Sequence, residues 1–300
     1  MVTKKNKKLN KTGAATFFMI APWGLLFIVF MLIPVLVAVL FSFTYFDMLN
    51  FPMFNGVENY LRLVLDDDVF TISFKNTIVI AVVTGPAGYL ISFIVAWCIC
   101  EFKRGMRSVL TLCFYAPTLS GSVYVIWNYI FNGDSYGLIN SLLIEWGLIS
   151  TPIQFTTNTN YTMMVVLIVM LWQSTGQAFL TFVAGLQSLN PELAEAASID
   201  GIKNRWQELI YVTLPQMKPQ LVLGAVFAIS GAFACGAVNE SLTGNPSTDY
   251  STHTILMHMK DYAFTRFEMG YACAVAIALF AIMLVFWYLI NKVLARWSTD

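Results

Sequence analysis

The chain has 300 residues, of which 58% are hydrophobic and 11% charged, against about 25% charged in an ordinary soluble domain. Its 17 basic and 17 acidic residues cancel to a net charge of zero. This composition excludes a soluble globular protein and gives no electrostatic footprint for nucleic acid.

Six stretches lack Asp, Glu, Lys and Arg: residues 12–46, 76–100, 108–133, 146–191, 219–239 and 269–291. Each reaches the roughly 20 residues that a helix needs to cross the hydrocarbon core. The start of the fourth, "STPIQFTTNTN", is polar and Pro-bearing and reads as a loop. The prediction is an all-α, polytopic helical bundle with spans at 16–43, 71–100, 108–132, 161–186, 219–239 and 269–291. A basic tail over 1–15 precedes a single transmembrane domain over 16–300.

In chain order, the tail carries Lys4, Lys5, Lys7, Lys8 and Lys11. The apolar run behind it far exceeds a secretory signal core and lacks a small-residue cleavage site, so it is read as a retained span 1. Pro34, Pro86 and Pro117 fall inside spans 1, 2 and 3. Each deletes a backbone donor and predicts a kink, tolerable where neighbouring helices satisfy the freed carbonyl. The loops 44–70 and 133–160, with "LDDDV" and "TTNTN", read as solvated surface. The five cysteines, Cys98, Cys100, Cys113, Cys235 and Cys273, all lie in spans and read as small packing residues rather than a disulfide framework.

Lys and Arg sort by side. Thirteen lie in the tail, the loops after spans 2 and 4 and the C-terminal segment; Arg62, Lys75, Lys260 and Arg266 lie on the other side. The positive-inside rule then places both termini, and the loop between spans 4 and 5, in the cytoplasm.

That loop, "NPELAEAASIDGIKNRWQELIYVTLPQMKP", carries seven charges and would cost roughly 20 kcal/mol to bury at the bilayer centre. Its signals are those of ordered helix in water. Asn190 suits an N-cap, Pro191 the first helical position, and Glu192 and Glu195 the positive end of the helix dipole. Gly201 supplies the left-handed turn, and "IKNRWQELIYVTL" starts a second helix that stops or kinks at Pro215. The first helix presents Ala194, Ala196, Ala197 and Ser198, and the second Trp206, Leu209, Ile210 and Val212. Small side chains permit the close approach of another surface; folding back on the bundle is the alternative.

This run resembles the EAA loop of the membrane subunits of bacterial ABC importers. The matching positions are Glu195, Ala196, Ala197, Gly201, Val212, Leu214 and Pro215. The flanking "VAGLQSLNPEL" and "FEMGYACAVAIALF" look like the carbohydrate branch, similar to maltose and glycerol-phosphate permease subunits, and the likeness to the type I permease module spans about residues 70–292. One departure stands out: ten residues, 202–211, separate Gly201 from Val212, one more than the family spacing. An extra helical residue rotates the remainder of the helix by about a third of a turn.

The resemblance implies a coupling helix docked in a cytoplasmic ATPase, with Glu195 paired to a basic residue there, Ala196 and Ala197 giving close approach, and Asp200 and Gly201 at the turn. It further implies a second, homologous permease subunit, two copies of the ATPase, an extracytoplasmic solute-binding protein and a bacterial inner-membrane location. No G-x-x-x-x-G-K-[ST] phosphate loop occurs in the chain, so ATP is expected to be used by the partner, with no cofactor bound here.

For a sugar cargo, candidate path residues are Tyr124, Trp127 and Asn128 on span 3, Trp172, Gln173, Thr175 and Gln177 on span 4, and Asn239 on span 5. The same side chains also suit interfacial belts and interhelical hydrogen bonds. His253 and His258 read as solvated or capping residues, with no metal site. Two rivals stay open: an ion- or proton-coupled secondary transporter, against which the charge-free span interiors argue, and a membrane interaction protein without transport.

Overall fold

A computed structural model of the chain describes residues 16–120 and 123–298, with side chains through residue 292. The expected basic tail, 1–15, and the side chain of Arg296 lie outside this range. Among the described residues, five helices are long and apolar enough to cross a membrane, and a bent pair makes a sixth crossing if taken as one span. Span 1 is Thr16–Phe41, span 2 Asp68–Cys100, span 4 Thr159–Gln187, span 5 Lys218–Thr243 and span 6 Met269–Lys292.

The prolines act in three different ways. Pro34 has no N–H to offer Phe30 and its ring crowds that carbonyl; the wider π turn Ile28–Leu32 just before it takes up the mismatch. At Pro86, where a kink is expected, the 33-residue helix of span 2 runs on. Pro117 lies near the end of Arg104–Leu119, where Ser120 turns extended. The next helix, Tyr124–Ile130, leaves at 86°. Span 3, expected over 108–132 with a kink at Pro117, is therefore a sharply bent pair of helices.

Spans 4 and 5 are also interrupted. Thr159–Gln173 and Gln177–Gln187 meet at Ser174, Thr175 and Gly176, and Lys218–Phe233 gives way to Gly236–Thr243 at Ala234 and Cys235. Spans 2, 4 and 5 form the centre of the bundle, packed through Phe93, Phe179, Phe182, Val183 and Met217. Small residues allow the approach: a side chain at Gly224 would collide with the Phe182 ring, and one at Gly185 with Met217 and Gln220. Span 6 packs mainly on the end of the bundle opposite the basic loops, through Tyr271, Ala272 and Val275.

The loop 44–70 is not merely solvated surface. A short antiparallel pair, Thr44–Tyr45 with Met53–Phe54, and the helix Glu58–Leu65 order it. Asp67 caps span 2 by accepting from the Phe70 N–H at 2.8 Å, and its side chain is only 7% exposed. It also accepts from the Tyr271 hydroxyl at 2.6 Å and lies 2.9 Å from His258 Nε2. Arg62 stacks 4.3 Å over the Tyr271 ring and pairs with Glu268. The loop 133–160 likewise buries Asn140, which bonds to the carbonyls of Asn132 and Ile153, and Phe155.

Both histidines are buried, contrary to the solvated expectation. The reason is tertiary: Asn76 on span 2 donates to the carbonyls of Tyr250 and His253, and Thr77 accepts from the Ile255 N–H, which draws the whole 250–258 segment into the bundle. Burial raises the Asp67 carboxyl, but bonds from His258, Tyr271 and the Phe70 amide outweigh it and hold the group well below the usual carboxylate range. Burial, reinforced by His258, pushes the His253 imidazole down to about 4.

These shifts make stability depend on pH. The folded state refuses a proton that His253 accepts once unfolded, so this contribution is intact above about pH 6.5 and is lost progressively as pH falls toward 4. The Asp67 contribution disappears only at more acidic pH, below the ordinary carboxylate range. The thermal midpoint of the detergent-solubilised protein is expected to drop between about pH 7.5 and pH 5.5 (one unit either side of the unfolded imidazole value), and less so in His253→Gln. Equal drops in the two proteins would assign the loss to other groups.

Candidate functional site

The breaks in spans 4 and 5, with Tyr124 at the start of the second helix of span 3, line a cavity of about 460 Å³. Span 2 contributes Thr84 and Gly88, span 3 Tyr124, span 4 Gln173, Ser174, Gly176 and Gln177, and span 5 Phe227, Ser230, Gly231 and Cys235. A chain that leaves helical geometry inside a membrane frees carbonyls and N–H groups that lipid cannot satisfy. Here Ser92 Oγ donates to the Ser174 carbonyl at the break in span 4 at 2.8 Å, and Thr175 Oγ1 ties that break to the helix Arg104–Leu119 by donating to the Phe114 carbonyl at 3.0 Å. Gly88 lets the break in span 4 lie directly against span 2, since a Cβ there would stand 2.8 Å from Ser174 Cβ.

Of the residues singled out in the sequence, three line the cavity: Tyr124, Gln173 and Gln177. The Gln173 amide donates to the Tyr124 hydroxyl at 2.9 Å, which fixes both groups and leaves Gln173 further hydrogen-bonding capacity. Gln173 and Gln177 do not share one continuous helical face, because the chain breaks between them; both reach the cavity for that reason. Trp127 and Trp172 pack edge to face at 5.3 Å, and Asn128 donates to the Ser241 carbonyl, beside the cavity rather than in its wall. Thr175 braces the break. Asn239 is fully buried and donates to the Thr252 carbonyl at 2.7 Å, anchoring a loop at the end opposite the basic loops.

Sequence reasoning missed Thr84, Gly88, Ser230 and Gly231. Their signal was a periodic stripe of small residues, visible on span 2 as Ser73, Thr77, Thr84, Gly88 and Ser92, all buried.

At the basic end of the bundle, the helix Pro191–Ile199 stands off the spans with no buried residue. Asn190 caps it by accepting from the Glu192 N–H at 3.1 Å. It closes with Gly201 at φ +99°, where the Ile202 N–H reaches the Ala197 carbonyl at 3.1 Å. Glu195 and Ala196 are exposed; Ala197 is partly covered. The second helix begins at Arg205, not Ile202, because Asn204 supplies the cap to the Trp206 N–H. Leu209 is buried against the bundle instead of presented outward, whereas Trp206, Ile210 and Tyr211 are exposed.

The extra residue before Val212 has a structural counterpart. Leu209–Thr213 forms a π turn, which holds one more residue than an α turn, just ahead of Pro215. Leu214 packs against the central cluster, and Pro215 is exposed. Besides the buried Leu209, an ion pair and a ring contact tie this hairpin to the end of span 2: Arg205 pairs with Glu101 at 2.7 Å, and the Trp206 ring lies 5.1 Å from Trp97. Among the described residues, no group of three or more His, Cys, Asp or Glu side chains is arranged to hold a metal ion.

Residues 21–298 match the family described as binding-protein-dependent transport system inner membrane component. The chain belongs to this family. It is 28% identical over 302 residues, 99% of this chain and 94% of the relative, to the probable ABC transporter permease protein YesP of Bacillus subtilis (strain 168). It is 30% identical over 291 residues, 94% of each chain, to the probable starch degradation products transport system permease protein AmyD of Thermoanaerobacterium thermosulfurigenes. Its fold matches a chain in the crystal structure of a bacterial ABC transporter involved in the import of the acidic polysaccharide alginate, with a TM-score of 0.77 at 21% identity over 97% of this chain and 99% of that one. The protein is thus an integral inner-membrane permease of an ABC import system, which sets aside the ion-coupled alternative.

The packing at Gly88 gives a test of the permease cavity's construction. Gly88→Ala should lower stability by about 1–3 kcal/mol through overpacking against Ser174. Adding Ser174→Gly should recover most of the loss in thermal denaturation; no recovery would separate Gly88 from the span 4 break.

Proposed function

We propose that the permease passes a sugar or oligosaccharide through the cavity between its broken spans. The observation that carries this reading is the cluster of uncharged hydrogen-bonding groups there, Gln173, Gln177, Tyr124 and Ser230, with the Tyr124 and Phe227 rings in the same wall. Uncharged amides and hydroxyls suit the hydroxyls of a neutral saccharide, and aromatic rings suit its apolar ring surfaces. The names of relatives support it: AmyD is a permease for starch degradation products, and the AraP protein of Bacillus subtilis (strain 168) is a permease for arabinooligosaccharides.

In this reading the basic end faces the cytoplasm, and the helix Pro191–Ile199 is the coupling helix. Glu195 engages a basic residue of a cytoplasmic ATPase while Ala196 and Ala197 allow contact at short range. Asp200, Gly201, Leu214 and Pro215 set the turn and the return path to span 5. The working assembly contains a second permease subunit, two ATPases and an extracytoplasmic binding protein. Support for the last comes from the alginate transporter, crystallised in complex with an alginate pentasaccharide-bound periplasmic protein. ATP is bound and hydrolysed by the ATPases, whose closure moves the coupling helix and, through Arg205–Glu101 and Trp206–Trp97, span 2.

Gln173→Ala and Gln177→Ala should each raise the apparent KM for sugar uptake about fivefold to tenfold, the effect of losing one or so hydrogen bond. Unchanged uptake in both would remove them from the path. Glu195→Arg and Gly201→Pro should abolish uptake while leaving membrane insertion intact. Proline cannot adopt the positive φ at 201. Normal uptake in both variants would contradict the coupling assignment.

A further inference from the structure

A second polar cavity, of about 440 Å³, lies between the helix Arg104–Leu119 and the second half of span 4. Its walls hold Arg104, Arg107, Ser108 and Thr111 at one end and Leu112, Tyr115 and Leu180 further along, with Gln187 on the opposite helix. Neither the saccharide path nor the coupling hairpin uses any of these residues.

The two guanidiniums are unusual in this chain. Arg62, Arg205 and Arg266 each have a carboxylate at salt-bridge distance, whereas Arg104 and Arg107 have none among the described residues. The one nearby acid, Glu101, is already engaged by Arg205. Local chemistry makes the deficit larger. The helix starts at Arg104 with no side-chain cap and no acidic residue in its first turn, so its unpaired N–H groups add positive potential beside the two cations. The Ser108 and Thr111 hydroxyls already donate to the Arg104 and Arg107 carbonyls and leave only lone pairs, so the donors that face an anion are the guanidiniums and the Gln187 amide.

The order of the lining residues fixes the shape of the ligand. From Arg104 to Tyr115 the helix rises about 16 Å at 1.5 Å per residue. Over that length the wall passes from cationic to hydroxylic to apolar, and it runs from the basic end of the bundle toward its membrane-embedded middle. A small inorganic anion would fill only the first part. A phospholipid, with a negatively charged phosphate at one end and hydrocarbon at the other, matches the whole. Basic clefts between spans on the cytoplasmic side are suited to such headgroups, and paired guanidiniums bind phosphate oxygens with bidentate geometry that an ammonium cannot reproduce.

We propose that this cleft is a binding site for an anionic phospholipid, with Arg104 and Arg107 on the headgroup phosphate and Leu112, Tyr115 and Leu180 along an acyl chain. The site is independent of the saccharide assignment.

The assembled transporter, released from nanodiscs of phosphatidylcholine and phosphatidylglycerol, is examined by native mass spectrometry. Wild type should retain phosphatidylglycerol, and Arg104→Gln/Arg107→Gln should retain about tenfold less. Adding inorganic phosphate should displace none of it. Equal retention by the two proteins overturns the proposal, and displacement by inorganic phosphate overturns the lipid as the source of the anion. If the double Gln variant fails to assemble, Arg104→Lys/Arg107→Lys keeps both charges. A clear fall in retention with it supports bidentate phosphate binding, and unchanged retention overturns it.

Discussion

Backbone polar groups cannot be left unpaired in hydrocarbon, and this constraint governs the permease more than any single contact. An uninterrupted helix meets it almost everywhere, as span 2 does across 33 residues apart from the Val82 carbonyl, which Pro86 leaves without a helical donor. Spans 3, 4 and 5 do not, since each leaves helical geometry inside the bundle. Irregular backbone at that depth survives only where protein or a cavity surrounds it. The break in span 4 is held by side-chain hydroxyls from within and beside it, Ser92 and Thr175, and the cavity sits where the breaks of spans 4 and 5 face each other. The cavity and the broken helices are one feature, and the residues that brace the chain are distinct from those left to face a ligand.

The two ends of the bundle are built differently. At one end, Asp67, His258, Tyr271, Arg62 and Glu268 interlock spans 2 and 6 through buried or half-buried bonds. At the other, the helix Pro191–Ile199 stands exposed, while the return segment of the hairpin is seated on the bundle by Leu209 and Leu214 and reaches the end of span 2 through the ion pair Arg205–Glu101 and the ring contact Trp206–Trp97. Surface ion pairs contribute little to stability, commonly under about 1 kcal/mol. Apolar packing of Leu209 and Leu214 therefore does most to hold the return segment, and the helix Pro191–Ile199 is the part left free of the bundle. On the proposed cycle, the interlocked end is the pivot and the exposed end receives the push.

Much of this was legible in the sequence because it rests on local chemistry. Charge-free length located the spans, and Asn190, Pro191 and Gly201 located both ends of the helix Pro191–Ile199. Gln173, Gln177 and Tyr124 were found from their polarity within apolar runs. The rest depended on long-range partners. Nothing local distinguishes Asp67 from its neighbours Asp66 and Asp68, yet His258 and Tyr271, 191 and 204 residues away, make it a buried anchor. Asn239 has the same polarity signal as Gln173 and faces a loop instead. Gly88 and Ser230 carry no polarity signal strong enough to be noticed before the helices are packed. The extra residue before Val212 could be counted in the sequence, but its accommodation by a π turn could not.

In the proposed function, the cavity would open alternately to the two sides of the membrane as the coupling helix moves. The direct measurement is the labelling rate of Gln177→Cys by a membrane-impermeant thiol reagent, in a chain whose five native cysteines are replaced by Ala. The rate is taken from each side of the membrane, with and without a non-hydrolysable ATP analogue on the assembled transporter. Nucleotide should raise labelling from one side and lower it from the other. Rates that ignore nucleotide on both sides would contradict the mechanism, even if the protein were shown to transport sugar.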